Sequence, residues 1–270
     1  MIGAWLRRLH GADIRWSERY LVATPLHAGF WVRRRLQSAI RSESARARGV
    51  LLDVGCGRKP YAPLFAGRIS RYIGMEYSLG AGYRGNLADV CGDAAAIPIA
   101  ASSVDTVLCT EVLEHVPDPD LVVREIVRVL KPGGVVICTA PFVYPVHDAY
   151  DFFRYSPGTI PALMRRHGLT VDFERPLAGT GVTLAIMLNL YWFEIGFLWT
   201  KWLYPIGLVL RPLLWCVVML VNVAGWLFER LLPSNHMSFN HLTVAHRPDI
   251  VRSATAGTSA AAAPRLERAG

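Results

Sequence analysis

The sequence predicts an α/β domain, a mostly parallel sheet with helices on both faces, interrupted near its C-terminal end by an apolar helical insertion. Three observations carry this. From Val50 onward, short apolar and β-branched runs alternate with helical segments, the pattern of strands joined by crossover helices. The run Leu51–Val54 enters a two-glycine turn, Gly55-Cys56-Gly57, and a later strand closes on the acid Glu76. Finally, Gly181–Leu232 holds about two membrane-span lengths of apolar sequence.

Residues 1–48 read as a basic helical region. Within Leu26–Arg48 the apolar residues Phe30, Trp31, Leu36 and Ile40 recur with arginines between them. Two readings stay open there: a helix packed on the domain edge, or one lying on a membrane surface or covering substrate. Strands follow at Val50–Val54, Arg71–Glu76, Ala88–Cys91, Val104–Cys109 and Gly134–Thr139. Between the last two, Asp118 is placed to cap a helix that Pro119 opens, with Leu121, Val122, Ile126, Val127 and Leu130 for its buried side and Pro132-Gly133 as its stop. Ser156-Pro157 opens another helix, which Gly168 closes. Strands at Leu169–Glu174 and His241–His246 flank the apolar insertion, and the Ala-rich tail from Ser253 (253–270) reads as disordered.

With 270 residues, the chain suits one α/β domain with additions or two small domains. It is 52% hydrophobic and only 19% charged, and the apolar excess is concentrated in the insertion. The net charge of +8 gathers toward the N-terminus, at Arg7, Arg8, Arg15, Arg19 and Arg33-Arg34-Arg35. Such a balance suits nucleic acid or an anionic lipid surface, and the insertion favours lipid. Cys56, Cys91, Cys109, Cys138 and Cys216 form no C-x-x-C pair and read as small core residues, so neither a disulfide frame nor a metal site is expected. Met1–Leu9 is too short, and too broken by Arg7 and Arg8, for a secretory signal.

An apolar strand running into two glycines marks a place where backbone passes close to a ligand. An acid at the tip of the next strand can accept hydrogen bonds from both hydroxyls of a ribose. Pro60 stands where a dinucleotide fingerprint has its third glycine. The loop therefore suits a nucleoside cofactor without phosphate, whose amino-acid end carries an ammonium and a carboxylate.

Asp53-Val54-Gly55-Cys56-Gly57, Gly92-Asp93-Ala94, Glu111-Val112-Leu113-Glu114-His115 and Leu130-Lys131-Pro132-Gly133-Gly134 occur in order. Together they resemble the class I S-adenosylmethionine-dependent methyltransferases of the type 11 subgroup, over about residues 49–175 and again at about 240–248. The resemblance implies a Rossmann-like, doubly wound, seven-stranded sheet whose last two strands form a hairpin, a methyltransferase domain at 49–180 and 238–250, and S-adenosylmethionine as cofactor. It also implies site roles. Gly55, Cys56 and Gly57 would wrap the methionine portion, Asp53 would position that loop, and Glu76 would hold the ribose. Asp93 would meet the adenine amino group with Ala94 beside the ring, while Thr110 and Glu111 would line the pocket near the sulfonium.

Methyl transfer to a hydroxyl wants a base. His115 follows the fourth strand, and His147 lies after the fifth in Val146-His147-Asp148-Ala149-Tyr150-Asp151-Phe152-Phe153-Arg154-Tyr155. His147 is expected as general base, oriented by Asp148 or Asp151, with His115 a second candidate. Arg154, with Asp151 and Tyr155, would bind an anionic acceptor; alternatively Asp151 and Arg154 pair locally and fix the loop. This stretch is similar to loops of bacterial methyltransferases for surface polysaccharide or lipid-linked sugar.

If the insertion interrupts a hairpin of strands, its ends share one side of any membrane. Three forms remain open: an apolar helical hairpin at 181–232 turning near Lys201–Arg211, an in-plane helix pair, or a dimer interface with a second copy of the chain. Glu194 and Arg211 would have to pair, sit near an interface or face protein, because a lone charge in the bilayer centre costs about 2.5–3.5 kcal/mol. The leading expectation is an O-methyltransferase on the cytoplasmic side of a bacterial inner membrane, acting on a lipid or lipid-linked acceptor. A quinone or other small-molecule methyltransferase and a non-catalytic cofactor-binding membrane module are the alternatives. Thr110-Glu111-Val112-Leu113 stands where a base-flipping loop would follow the fourth strand, so no nucleic-acid partner is expected. Pro60 likewise argues against a nicotinamide dehydrogenase.

Overall fold

The computed structural model describes Leu21 and residues 23–77, 88–202 and 206–249. The expectations for residues 1–20, for positions 203–205 of the interhelical turn and for the tail from Ser253 lie outside the described residues, as do the side chains of Glu194 and Arg211.

Five helices and seven strands are described: α1 (Phe30–Glu43), β1 (Val50–Val54), β2 (Arg71–Glu76), β3 (Val90–Cys91), β4 (Val104–Thr110), α2 (Pro119–Val129), β5 (Leu130–Pro141), α3 (Thr159–Arg166), β6 (Thr170–Pro176), α4 (Thr180–Trp202), α5 (Ile206–Leu231) and β7 (Asn240–His246). They build one seven-stranded sheet in the order β3-β2-β1-β4-β5-β7-β6. β1 to β5 pair in parallel, while β7 runs antiparallel between β5 and β6. Strand order reverses between β1 and β4, and the carboxyl ends of those strands are where ligands bind in open sheets of this kind.

Local chemistry explains the elements. Asp118 Oδ1 accepts the Asp120 and Leu121 amides at 3.0 and 3.4 Å, Pro119 opens α2, and Val122, Val123, Ile126 and Val129 are its buried stripe. β5 begins at Leu130, earlier than the expected Gly134, because Leu130 already pairs with Val104 ahead of a register shift. α3 is shorter than the expected span from Ser156 to Gly168, since Gly158 is left-handed at φ 85° just before it and Gly168 at φ 82° ends the turn after it. Between β1 and β2 only the 3-10 turn Ala62–Phe65 forms, where Pro60 and Pro63 interrupt the backbone donors of a longer helix.

Successive strand residues point to opposite faces and so build two cores. On one face Leu52, Val54 and Val107 meet Val122 and Ile126 of α2 and Ile160 and Met164 of α3. On the other, Leu51, Leu108, Ile137, Leu242 and Val244 are covered by Trp31, Leu36 and Ile40 of α1 and by Val182 and Ile186 of α4. The apolar insertion therefore begins inside the domain. Val182, Thr183, Ile186 and Asn189 are fully buried, so the expected first span from Val182 does not leave the protein at once.

α4 and α5 lie antiparallel along a seam of small residues. Asn189 Nδ2 donates to Asn222 Oδ1 at 2.9 Å, and a Cβ added at Gly225 would lie 2.4 Å from Ala185 Cβ and 2.9 Å from the Gly181 carbonyl. Glu229 clasps the domain end of the pair: Oε2 accepts the Gly179 and Val182 amides at 3.0 and 3.3 Å, and Oε1 meets Arg35 at 2.5 Å. Gly225→Leu should therefore force the helices apart and cost about 1–3 kcal/mol. Thermal unfolding in detergent measures this, and an unchanged midpoint would mean the helices do not touch at that point. Outward, Pro212–Leu231 is long and apolar enough to cross a membrane, and Leu213, Leu220, Leu227 and Leu231 are exposed.

Candidate functional site

β1 ends in a turn held by β2. Gly55 and Gly57 adopt φ of 71° and 49°, the left-handed region that favours glycine. The Gly55 and Cys56 amides donate to the Met75 carbonyl at 2.9 and 3.0 Å. A Cβ at Gly55 would strike Val112 Cγ2 at 2.4 Å, whereas one at Gly57 would meet nothing within 4 Å. The turn thus packs on the loop after β4 on one side and opens to free space on the other. Glu76, at the tip of β2, accepts the Gly57 amide on Oε2 at 2.7 Å and the Tyr77 amide on Oε1 at 3.1 Å.

Asp53 lies beneath the turn, almost wholly buried. Its Oδ2 accepts the Tyr72 hydroxyl at 2.5 Å, while Oδ1 has no partner among the described residues. Burial pushes this carboxyl up to about 7; the Tyr72 bond opposes the rise and the Glu76 charge adds to it. Burial, with Asp53 and Glu76 close by, also pushes the Cys56 thiol up to about 12, which makes it a space-filling side chain and not a nucleophile.

These residues fit the cofactor that the motifs imply. An orphaned carboxylate oxygen suits a ligand that brings an ammonium or an N–H donor. Glu76 is half-buried with lone pairs to spare for ribose hydroxyls. The 3-10 turn Ala62–Phe65 presents no α-helix N-terminus to a pyrophosphate, so a dinucleotide fits poorly. Asp93 is exposed and its Oδ1 accepts the Ala95 amide at 2.8 Å, which fixes the turn that buries Ala94.

Thr110 is buried at the end of β4. Glu111 follows at φ 54°, a strained conformation for a residue with a side chain. Oε1 accepts the Thr139 hydroxyl at 2.7 Å and Oε2 accepts the Asn240 amide group. Burial raises the Glu111 carboxyl despite both bonds. Its oxygens thus tie the tips of β4, β5 and β7 together, a role no sequence pattern announced.

The loop after β5 brings both histidines together, with ring centroids 5.1 Å apart. His147 Nδ1 lies 3.0 Å from Asp151 Oδ2, whose oxygen also accepts the His147 amide at 3.0 Å. The Asp151 carboxylate thus lies beside the His147 ring, while Asp148 Oδ1 accepts the Ala149 amide at 2.6 Å. His115 Nδ1 meets the Tyr150 carbonyl at 2.7 Å.

Asp151, Arg154 and Tyr155, expected to bind an anionic acceptor or to pair locally, make local contacts in this structure. Arg154 grips Asp151 with both Nη atoms and reaches the carbonyls of Tyr144, Phe153 and Pro145, each at 2.7 Å, which occupies all five of its N–H donors. Arg154 holds the Asp151 carboxyl down to about 2. The Tyr155 hydroxyl is buried and donates to the Leu113 carbonyl at 2.8 Å.

Glu114 is the residue that sequence reasoning missed, because its neighbours are distant in the chain. It is fully buried, neither carboxyl oxygen has a hydrogen-bond partner among the described residues, and His115 Nε2 stands 3.7 Å away. Burial, reinforced by the Glu111 charge, pushes it up to about 9. Folded, the group stays protonated through neutral pH; unfolded, it ionises above about 4.5. It therefore withdraws stability as pH rises from about 4.5 toward 9. Glu114→Gln should flatten that part of the pH dependence in urea unfolding between pH 5 and 8. A variant with the wild-type slope would mean that Glu114 ionises normally in the folded state.

Comparison with known proteins converges on the same segment. The family model described as methyltransferase domain, Methyltransf_11, matches residues 52–138. An uncharacterized methyltransferase of Mycobacterium sp. (strain JLS) is 38% identical over 92 residues, covering 32% of this chain and 36% of that protein. The ubiquinone biosynthesis O-methyltransferase of Xanthomonas oryzae pv. oryzae is 38% identical over 136 residues, 44% of this chain and 53% of that protein. The chain thus spans between a third and about half the length of these curated relatives. Among solved structures, phosphoethanolamine N-methyltransferase 2 of Haemonchus contortus, in complex with S-adenosyl-L-methionine, is 17% identical with a TM-score of 0.48, covering 80% of this chain and 53% of that one. The [4+2]-cyclase SpnF is 20% identical with a TM-score of 0.49, covering 80% of both chains.

Proposed function

We propose that this chain, which belongs through residues 52–138 to the class I S-adenosylmethionine-dependent methyltransferases of type 11 and takes S-adenosylmethionine as its cofactor, methylates an oxygen of a membrane-associated acceptor. A lipid-linked sugar is the acceptor class favoured. The observation that carries this reading is a juxtaposition. The Gly55–Gly57 turn and the His115–His147 pair follow neighbouring strands at one sheet edge, in a domain that continues into two largely apolar helices.

When bound, the cofactor supplies an activated methyl group. The protein's own work is to align the acceptor and remove its proton. His147, whose Nδ1 lies 3.0 Å from Asp151 Oδ2, would take a proton from an acceptor hydroxyl on Nε2. His115, fixed on the Tyr150 carbonyl, walls the same space. Glu76 and the glycine turn hold the cofactor, and Glu111 keeps the strand tips in register beneath it.

The exposed apolar face of α5 supports the membrane part, because a contiguous surface of this kind calls for lipid or another protein to cover it. On this reading the domain sits on the cytoplasmic side of a bacterial inner membrane. The relative named for ubiquinone biosynthesis O-methylation supports oxygen as the acceptor atom and keeps a quinone ring in view as an acceptor. The full chain, incubated with methyl-labelled S-adenosylmethionine and bacterial membrane extract, should place label in the lipid fraction. Label confined to water-soluble sugars would sink the membrane part. Cofactor uptake without any turnover would leave a binding module.

A further inference from the structure

Between α1 and α5, away from the cofactor turn, lies a cavity of about 340 Å³. Its walls are Pro25, Phe30, Trp31, Val223 and Trp226, with Arg34 at the rim. Asn222 also borders it, but that amide is spent: Nδ2 donates to the Pro25 and His27 carbonyls at 2.7 and 3.3 Å, and Oδ1 accepts from Asn189. The interior therefore offers aromatic and aliphatic surface, and the volume is at the low end of ligand pockets, roughly 300–1,000 Å³.

The charge at the rim is unspent. Arg35 is committed to Glu229 at 2.5 Å, but the adjacent Arg34 is exposed and has no acidic partner among the described residues; its guanidinium lies 5.8 Å from the Phe30 ring centre. Arg230 stacks on the other participant, 5.7 Å from the Trp226 ring centre, and also has no acidic partner among the described residues. Val223 and Trp226 belong to the exposed apolar face of α5, so the cavity opens onto the surface assigned above to the bilayer.

We infer that this cavity binds one anionic membrane lipid, with a phosphate held at Arg34 and the first part of an acyl or isoprenoid chain lying between α1 and α5. A guanidinium is suited to phosphate oxygens, and an apolar chamber without free polar atoms is suited to hydrocarbon. The inference rests on the membrane reading of the α4–α5 face. It adds that α1, which covers the sheet beside the site, is fastened to lipid through Arg34.

Flotation of the full chain with vesicles tests it. Wild type should bind phosphatidylcholine vesicles and should bind vesicles containing phosphatidylglycerol about five- to tenfold more tightly. Arg34→Gln should lose most of that preference while still binding phosphatidylcholine. Val223→Trp fills the cavity without altering charge, and should abolish retention of one phosphatidylglycerol by native mass spectrometry of detergent-solubilised protein. Excess inorganic phosphate should not displace the lipid; displacement would reassign the rim to a soluble anion and overturn the proposal. Equal binding to both vesicles, or wild-type lipid retention in Val223→Trp, would overturn the cavity assignment while leaving the membrane reading intact. No binding to any vesicle would overturn both.

Discussion

Replacing Arg154 by alanine should cost the folded protein about 3–5 kcal/mol, the range for stripping one partner from a buried charge pair. The Asp151 side chain is wholly buried, and Arg154 supplies both bonds that neutralise it. The same guanidinium also donates to the part-buried Tyr144 carbonyl and to the exposed Pro145 and Phe153 carbonyls, so one truncation leaves the carboxylate and the Tyr144 acceptor without their partner. Asp151 titrates at about 2 in the native state, below the usual carboxylate value near 3.8. Its stabilising contribution is therefore present above about pH 4 and is lost as pH falls through 2. In the alanine variant that acid limb should shift upward. Lysine should recover only part of the loss, having no planar fork to match the carboxylate. Chemical unfolding of the three proteins at pH 7 and pH 4 measures both effects; a cost below 1 kcal/mol would mean the pair is already solvated.

The second large effect belongs to His147. On the proposed reading, His147→Gln should lower kcat about 10²- to 10⁴-fold, the usual contribution of a positioned general base. Affinity for S-adenosylmethionine should stay the same, since the cofactor turn follows a different strand. Asp148→Asn should leave the rate within about twofold, because that carboxylate caps a local turn and does not reach the imidazole in this structure. A His147 variant with full activity would transfer the role to His115 or dispense with a base.

Local signals made much of the fold legible. β1, β4 and β5 stand out as apolar runs because central parallel strands are buried on both faces. α2 is announced by Asp118 and Pro119, and the capping bonds form at the expected amides. The insertion is visible as composition, but its packing is not. That Val182 and Ile186 cover the sheet while Leu184 and Leu188 face outward depends on where the helix meets the domain, and an all-apolar helix has no polar stripe to reveal it.

The cofactor turn was legible for a similar reason: glycines at left-handed positions and an acid at a strand tip are needs of the backbone itself. The acceptor loop was only half legible. The spacing of His147, Asp151 and Arg154 showed that they would meet, but not which pairs would form, and the structure pairs Arg154 with Asp151. Glu114, Asn240 and Tyr72 were hidden. Each meets its partner or its apolar surroundings through long-range packing, such as the Tyr72 hydroxyl on Asp53 and the Asn240 amide on Glu111.

Equilibrium binding of S-adenosylmethionine to the purified full chain, wild type against Glu76→Ala, bears most directly on the whole picture. Glu76 holds the Gly57 amide and would receive the ribose, and hydrogen bonds to a charged group contribute about 1.5–3 kcal/mol. Wild type should bind and the folded alanine variant should bind some ten- to a hundredfold more weakly. Equal affinity in the two proteins, or no uptake by the wild type, would contradict it.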